Sequence, residues 1–384
     1  MNWTKKIIIL SWHIFAATNL SFGQSYETFV LLLPYELQNP SAQRMGGVTV
    51  ALPDRVPHIL PNPANLVELE NITFFSSTRA ITTRLSYHEI DMKYDKSLSR
   101  DDLEFPAYSS FSLPFSLLNN RWTLAAAYNG IQHLEMEKSF LLDELVSADN
   151  ENNRYSFSMG LAGQFLTNFR LGIAWTKWYG KNDRQFDNTS DRFSFNGSGV
   201  QFGAQGQFKK LAIGLSFYAP HDLVETNLRR IDLDSLYLEN KLKKVQRFNG
   251  AIDFGLAFNL SPEWTVGAGY GYQKSFPVKY RHNAWQFQEM FSGVSKFSAG
   301  IEYALSFSRA KLPVYLSYKL QQAPKFSGSS YYFFDNPGIE FKDNLLQHEF
   351  LLGASLVFKN FGIFLDSKWI HSNFYMYLLP PPAS

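Results

Sequence analysis

The chain has 384 residues, enough for one large domain or two modest ones, and 45% of them are hydrophobic, which excludes a disordered protein. Aromatic residues make up 16% and charged residues only 18%, and the formal net charge of +2 gives no field that would attract nucleic acid. The lack of Cys excludes disulfides, thiolate nucleophiles and Cys-ligated zinc.

The N-terminus has the order of segments that is typical of a secretory signal. Lys5 and Lys6 precede an apolar run from Ile7 to Ala17, and small residues follow near Gly23. This order predicts a signal peptide over residues 1–23, cut near Gly23 or Gln24. The alternative is an N-terminal membrane anchor, but the run is shorter than the ~20 residues that a spanning helix needs.

Residues 24–70 do not alternate cleanly and contain two short motifs. Gly46-Gly47 allows a close backbone approach, and the prolines that follow stiffen the path into the first strand. With these motifs the chain resembles the FadL superfamily of outer-membrane proteins, which includes PorV-like relatives. The matching positions are Ser41, Ala42, Met45, Gly46, Gly47, Val50, Ala51, Asn62, Pro63, Ala64 and Leu66.

The resemblance implies a fourteen-stranded barrel with the segment 24–70 folded inside it as a plug. In that case Gly46, Gly47, Asn62, Pro63 and Ala64 form the plug motif. The alternative is a structural N-terminal lid that has no gating role. The resemblance also implies one of two functions, transport of hydrophobic molecules or service as a PorV-like barrel.

Residues 71–378 alternate with a period of two, which predicts strands rather than helices. In Phe169–Trp178, for example, Leu171, Ile173 and Trp175 lie on one face, while Arg170 and Gly172 lie on the other. A soluble β-sandwich would alternate in the same way, so the turns must decide between the two folds.

Short turns alternate with long polar segments along the chain. The short turns are predicted near Ile81–Thr83, Leu118–Asn120, Thr167–Asn168, Lys209–Lys210, Ser261–Glu263, Ser308–Lys311 and Lys359–Asn360. The long segments are 95–104, 138–151, 181–192, 219–245, 276–292 and 321–343. This sorting is typical of an outer-membrane barrel and not of a sandwich. It predicts an all-β, antiparallel transmembrane β-barrel of about fourteen strands over 71–378, with both ends periplasmic and a tail at 379–384.

The third predicted strand, Phe105 to Phe115, contains Pro106 and Pro114. Proline cannot donate a hydrogen bond to a β-ladder, so a proline inside a closed barrel leaves a local defect. FadL-type proteins have a kinked third strand that opens the lumen sideways, and the resemblance implies a lateral gate at Pro106 and Pro114. The alternative is that both prolines lie at strand ends without consequence.

Eight charged residues fall on the small, polar parity of their strands. A cation on the lipid face costs about 2–4 kcal/mol near the membrane midplane, so this parity is expected to face the lumen. The predicted lumen-lining residues are Arg170, Arg247, Asp253, Glu302, Lys319, Glu349, Asp366 and Lys368.

No metal, cofactor or catalytic site is predicted. The eight His lack metal-ligand spacing, and the Gly267 to Gly271 run alternates within a strand, so it is more consistent with room in the lumen than with a dinucleotide fingerprint. The loop Leu228 to Leu238 predicts either a short amphipathic helix for ligand capture or a packed loop.

Two functions follow as expectations. The first is a Gram-negative outer-membrane channel, without enzymatic activity, for uptake of small hydrophobic, fatty-acid-like molecules. The second is a non-transporting scaffold that binds proteins of a type nine secretion or surface-attachment system. In both cases the expected surroundings are the lipid bilayer and lipopolysaccharide, and nucleic acid is not an expected partner.

Overall fold

The computed structural model describes residues 48, 50–52, 59, 61–88, 95–135, 150–186, 189–233, 236–282, 285–308, 310–322, 339–342, 346–358, 362–372 and 375–378. Gly46 and Gly47 of the predicted plug motif and the predicted signal peptide lie outside these residues.

The described residues form a 3-10 helix, Pro63–Glu68, and nineteen strands. The strands are β1 Thr73–His88, β2 Asp95–Leu117, β3 Asn120–Glu135, β4 Asn150–Leu166, β5 Phe169–Phe186, β6 Thr189–Phe208, β7 Leu211–Tyr218, β8 His221–Leu233, β9 Leu236–Phe248, β10 Ala251–Asn259, β11 Trp264–Gln273, β12 Phe276–His282, β13 Trp285–Phe291, β14 Val294–Ser306, β15 Ala310–Gln322, β16 Ile339–Lys342, β17 Leu346–Phe358, β18 Gly362–Ser372 and β19 Tyr375–Leu378.

Seventeen of these strands join one antiparallel sheet. β1 to β6 pair in chain order, and β15, β17 and β18 end the sheet in the same way. Among the described residues, β16 pairs with β19 alone, in a separate two-stranded antiparallel sheet. Within the described residues no ladder joins β1 to β18, so both have one edge without a described partner.

The tight turns are as predicted at most sites. Leu118 and Asn119 connect β2 to β3 with φ of 53° and 61°. Positive φ at both central residues is the geometry of a type I′ hairpin turn, whose twist matches that of the flanking strands. Thr167–Asn168 and Lys209–Lys210 also connect strands directly, β4 to β5 and β6 to β7.

Four neighbouring spans are interrupted at the same height of the sheet. The interruptions are Ala219-Pro220, Asn249-Gly250, Lys274-Ser275 and Ser292-Gly293, and we call them together the break row. They lie side by side because the register continues unchanged through them, for example Ala251↔Tyr218 below and His221↔Phe248 above. Gly250 has φ of 98°, which a side chain would strain.

The break row inverts the alternation of each span. In β10 the buried residues are Asp253, Gly255 and Ala257, at odd positions, whereas in β9 they are Gln246 and Phe248, at even positions. In a regular strand, successive side chains point to opposite faces without interruption. The two residues of each interruption therefore move the buried face from one parity to the other.

The strand count agrees with the prediction to within one. β1 to β6, the four interrupted spans, and β15, β17 and β18 give thirteen spans among the described residues. The turn predicted near Ile81–Thr83 is wrong, because these residues lie inside β1 and pair with Asp102 to Arg100 of β2.

Several polar segments that were predicted as loops are strands. Residues 95–104 belong to β2, and the segments 219–245 and 276–292 form the hairpins β8–β9 and β12–β13. Polar residues can extend these strands, because pairing with a neighbouring strand satisfies the backbone N–H and C=O groups whether or not the side chains are apolar. Leu228 to Leu233 and Leu236 to Leu238 are accordingly extended, and no helix forms there.

The first and last spans end at opposite ends of the sheet. Thr73 of β1 lies opposite Ser112, on the side of the short turns, whereas β18 runs from Gly362, opposite Val357, towards the side of the long connections. The thirteen described spans are an odd number, which is why β1 begins and β18 ends on different sides of the sheet. The periplasmic position of both barrel ends stays a prediction.

One face of the sheet, below the break row, exposes a continuous apolar surface that we call the outer belt. On β10 it contains Ile252, Phe254, Leu256 and Phe258, and on β5 Leu171, Ile173 and Trp175. The nine residues of β10 rise ~3.3 Å each, which gives about 23 Å of height at a tilt of about 40°. Such a surface needs an apolar environment. Among the described residues, no helix is both long and apolar enough to cross a membrane.

Candidate functional site

The opposite face of the sheet, which we call the inner face, packs against an N-terminal segment. We define the inner segment as the described residues between Val48 and Leu69. Val48, Ala51, Ile59, Leu66 and Val67 are almost completely buried in this packing. The described part of the segment predicted as a plug thus lies on the face with the small and polar side chains.

Glycines allow the inner segment to approach the sheet closely. A β-carbon on Gly172 would lie 2.5 Å from the amide nitrogen of Ala64, and one on Gly214 would overlap the carbonyl oxygen of Val50. One on Gly267 would lie 2.5 Å from a methyl carbon of Val48. These alternating glycines therefore form the surface on which the inner segment packs, and Gly267 makes room as predicted.

Asn62 of the predicted motif is the polar centre of the segment. Its side-chain amide donates to the carbonyl oxygen of Val50 at 2.7 Å and to that of Ala204 on β6 at 3.0 Å. Its Oδ1 accepts from the amide of Ala64 at 3.0 Å, so Asn62 is also the N-cap of the 3-10 helix that begins with Pro63. One buried side chain therefore holds the segment, the helix and the sheet together.

Glutamines of β6 hold the backbone of the segment from the sheet side. Gln205 donates to the carbonyl oxygen of Ala51 at 2.8 Å, and Gln201 donates to that of Pro61 and to Ser216 Oγ, the latter at 2.7 Å. Both glutamines are buried. Such bonds satisfy carbonyl groups that would otherwise be buried without a partner.

Arg170 of β5 joins the end of the 3-10 helix to the sheet. Its guanidinium forms an ion pair with Glu68 and donates to Gln205 at 2.8 Å and to Gln207 at 3.0 Å. Arg170 was predicted to line the lumen and is buried on the inner face, where it anchors the segment.

An apolar cluster fills the space between the inner segment and β2 to β5. It contains Ile59, Leu66, Val67, Leu69, Tyr108, Ala125, Ala127, Ala162 and Ala174, with Phe75 packed against it. The Phe75 and Tyr108 rings lie 6.1 Å apart. This cluster is the apolar core between the inner segment and this part of the sheet.

The wall of the sheet opens beside this cluster. Among the described residues, β2 pairs with β3 from Tyr108↔Asn129 down to Leu117↔Asn120. Above that row, in the same described residues, β2 pairs with β1 and β3 pairs with β4, and no ladder joins β2 to β3. We call this place the β2–β3 parting.

The two prolines of the predicted lateral gate have different surroundings. Pro114 pairs with Thr123 inside the continuous β2–β3 ladder, so it leaves no gap. Pro106 lies at the β2–β3 parting, where the partners of β1 jump from Tyr108 to Glu104 and leave an irregularity in β2. A proline at such an irregularity is expected, because it cannot donate to the ladder.

A row of stacked rings crosses the inner face just above the break row. Trp178, His221, Phe248, Phe276 and Phe291 stack in sequence, with ring centroids 4.9, 5.2, 5.4 and 5.4 Å apart. Four of them are directly opposed in register, from His221↔Phe248 to Phe276↔Phe291. Trp178 reaches the row because Gly199 leaves space for its ring, and a β-carbon there would lie 3.0 Å from it.

Charges on the inner face are paired. Lys296 Nζ lies 2.9 Å from Asp253 Oδ1, and Lys319 Nζ lies 3.4 Å from Glu349 Oε1. Asp253 and Glu349 are buried, and Glu302 is half-buried on the same parity. These pairs place Asp253, Lys319 and Glu349 on the face where the sequence predicted them, and the parity of β14 places Glu302 there.

Arg247 is a correction. Its side chain is 63% exposed on the outer face, 3.9 Å from Asp222. The break row is the reason, since it inverts the parity between β10 and β9 and places the neighbouring Gln246 inside instead. Asp366 and Lys368 pair in register with Gly353 and Leu351, and their side chains lie outside the described part of the chain.

Sequence reasoning missed the ring row and the partners Lys296 and Glu68. The rings come from five strands, so only the register brings them together. The sequence did contain a signal for the break row, because the turn-forming pairs Asn249-Gly250 and Ser292-Gly293 interrupt otherwise regular strands.

Comparisons with known proteins locate the fold. No protein-family model and no curated protein matches the sequence significantly. Among solved structures, two deletion mutants of the monoaromatic hydrocarbon channel TodX align over most of both chains. The first gives a TM-score of 0.53 at 14% identity, covering 88% of this chain and 98% of that one. The second gives 0.50 at 13% identity, covering 87% and 97%.

TodX itself is described as the toluene transporter of Pseudomonas putida. At this level of identity the similarity establishes the fold alone. The chain therefore has the antiparallel barrel fold of the FadL and TodX type, as the motif around Asn62 predicted.

Proposed function

From a sheet with the fold of TodX, we propose that this protein is a Gram-negative outer-membrane channel for small hydrophobic molecules. The outer belt supports the membrane location, because a large exposed apolar surface is costly in water. The proposed substrates are fatty-acid-like compounds, and the process is binding and diffusion without a cofactor or a catalytic group.

The observation that carries the proposal is the β2–β3 parting. A closed ladder would hide the inner face from the bilayer, whereas here the ladder ends at Tyr108↔Asn129. Tyr108 also belongs to the apolar cluster beside the inner segment. In the proposed route, a hydrophobic molecule passes beside this cluster and leaves the inner face through the parting.

The proposed route has two parts, one along the ring row and one at the inner segment. The segment fills the inner face below the break row, held by Asn62, Gln201 and Gln205. The ring row lies above it and adds a stacked, largely buried aromatic band to the inner face, an environment that suits apolar and aromatic molecules. We infer that molecules pass the rings, meet the segment and turn sideways to the parting.

Uptake into proteoliposomes tests the route. The chain has no Cys, so a Gly130→Cys variant carries one thiol beside the β2–β3 parting. A Ser198→Cys variant carries one exposed thiol on the outer face of β6, three strands from the parting, and is the matched control. Both variants are modified with a bulky maleimide or with a small methyl thiosulfonate, and uptake of labelled oleate and toluene is measured.

The bulky label on Gly130→Cys is expected to slow uptake at least fivefold, and the small label less than twofold. The bulky label on Ser198→Cys should leave uptake within twofold of the unlabelled protein. Equal uptake by both bulky-labelled variants would exclude the parting as the exit. Absence of any uptake, with secretion proteins co-purifying instead, would favour the scaffold alternative.

A further inference from the structure

A basic patch lies on the outer face, beyond the break row, on β9 and β12. Its members are Lys241, Lys243, Arg247, Lys279 and Arg281, all of which are exposed. We propose that this patch binds the phosphate groups of outer-leaflet lipids, namely the lipid A part of lipopolysaccharide. The inference rests on the proposed outer-membrane location.

The register brings the cations of the basic patch close together. Lys243 is directly opposite Arg281, and Lys279 is directly opposite Val245, two pairs further down the ladder and on the same face. Directly opposed side chains on one face have β-carbons about 4.5–5.5 Å apart, and like charges in this position destabilise a sheet. An anion between the two strands would remove this repulsion, and a phosphate carries the charge and the acceptors to do so.

The parity of the patch is clear from its neighbours. Gln246 and Phe248 of β9 and Val278 of β12 are buried on the inner face, so the residues that alternate with them face outward. Arg247 and Lys279 are such residues. The inverted parity of the break row is what places cations here, on strands whose lower parts expose apolar side chains.

The height of the patch fits the headgroup region. β9 continues downward into β10, where the outward residues are Ile252 to Phe258, and β12 continues into β11, where they include Tyr270 and Tyr272. On the β11–β12 span, tyrosines thus precede the cations Lys279 and Arg281, and on the β10–β9 span the apolar residues give way directly to Arg247 and Lys243. Tyrosine is typical of the membrane interface, and the lipid phosphates begin at that level.

The patch has little internal compensation. Within the described residues, only Arg247 of this set has a carboxylate partner, Asp222 at 3.9 Å. Both side chains are more than half exposed, at 63% and 52%, so this pair is screened by water and contributes little. The patch keeps a net positive charge that favours an anionic partner.

The test measures binding of purified lipid A to the full-length protein in nanodiscs of neutral lipid by native mass spectrometry. The test variant is Lys243→Ala/Lys279→Ala/Arg281→Ala. The matched control, Lys209→Ala/Lys210→Ala/Lys311→Ala, removes three exposed cations at the short-turn end. Heat-modifiable electrophoretic mobility reports folding, and a single Lys243→Glu variant replaces the triple variant if that fails to fold.

We expect the test variant to bind bis-phosphorylated lipid A at least tenfold more weakly than the wild type, and the control within twofold. Lipid A without phosphates should bind as weakly to the wild type as to the test variant. Equal binding by test and control variants, or equal binding of dephosphorylated lipid A, would overturn the proposal. So would full displacement by millimolar inorganic phosphate, which would indicate a site for the free anion.

The uptake assay separates this result from the proposed channel. Loss of lipid A binding with normal oleate uptake leaves the channel intact. Normal lipid A binding without uptake supports the patch and contradicts the channel.

Discussion

Lys296 of β14 reaches Asp253 of β10 across the strand that lies between them. Their contact point is Gly271 of β11, which is directly opposite both residues in register. A β-carbon on Gly271 would overlap Lys296 Cε and Asp253 Oδ1. The ion pair at 2.9 Å therefore depends on a glycine in the middle strand.

Removal of the lysine should destabilise the sheet. In Lys296→Met, the carboxylate of Asp253, only 4% exposed, loses its partner. Breaking a buried pair by removing one partner costs about 3–5 kcal/mol, so the urea midpoint of unfolding in lipid vesicles should fall clearly. The double variant Asp253→Asn/Lys296→Met removes both charges and should unfold closer to the wild type. Equal midpoints of the single and double variants would contradict this account.

The close packing of the inner segment on the glycines of the sheet is tested by adding one methyl group. Gly214→Ala should displace the segment, because its β-carbon overlaps the Val50 carbonyl, which is backbone and cannot rotate away. We expect proteolysis of the segment to become at least fivefold faster. Gly206→Ala is the control, since its β-carbon would lie 2.9 Å from the ring of the half-exposed Phe208, which can move. Equal protection from proteolysis in both variants would show that the segment does not depend on close packing against Gly214.

The regular part of the fold was readable from the sequence because alternation is local. Turns such as Leu118-Asn119 and Lys209-Lys210 stand at the ends of alternating runs, and the structure has them. The predicted turn at Ile81–Thr83 failed because a polar stretch inside a long strand has the same composition as a turn. Alternation also marked Gly214 and Gly267 as inward positions, but not what packs on them.

The inverted parity could not be predicted from alternation. In each alternating run the apolar side chains were assigned to the lipid side, whereas above the break row they face inward. Arg247 shares the parity of Asp253 only if the strand continues through Gly250, and it does not. The ring row and the Asp253–Lys296 pair depend on register between strands, which one sequence does not encode locally. Asn62 was identified through its motif, while its three bonds required the structure.

Asn62 gives a direct test of how the segment is held. Asn62→Asp removes both donors and places a carboxylate beside the carbonyl oxygens of Val50 and Ala204. Two lost bonds to buried acceptors cost roughly 2–6 kcal/mol, so the segment should loosen. With Val67→Cys, 1% exposed, as the only thiol in the chain, maleimide labelling should become at least tenfold faster.

The control for Asn62→Asp makes the same exchange elsewhere. Asn259→Asp, at the short-turn end, keeps the side-chain oxygen that accepts from Thr265 at 2.9 Å. Labelling of Val67→Cys should therefore be unchanged in that background. Fast labelling in both backgrounds would show that a new carboxylate, and not the loss of the two donors, loosens the segment.

The break row predicts which thiols face which solvent. In single-Cys variants at Gln246, Arg247, Ile252 and Asp253, the exposed positions 247 and 252 should react, while the buried positions 246 and 253 should be protected. Position 247 should react with a water-soluble maleimide and position 252 only with a lipid-soluble one, because Ile252 belongs to the outer belt. Continuous alternation through Gly250 would instead protect position 247 and expose position 246. That pattern would remove both the inverted parity and the basic patch that depends on it.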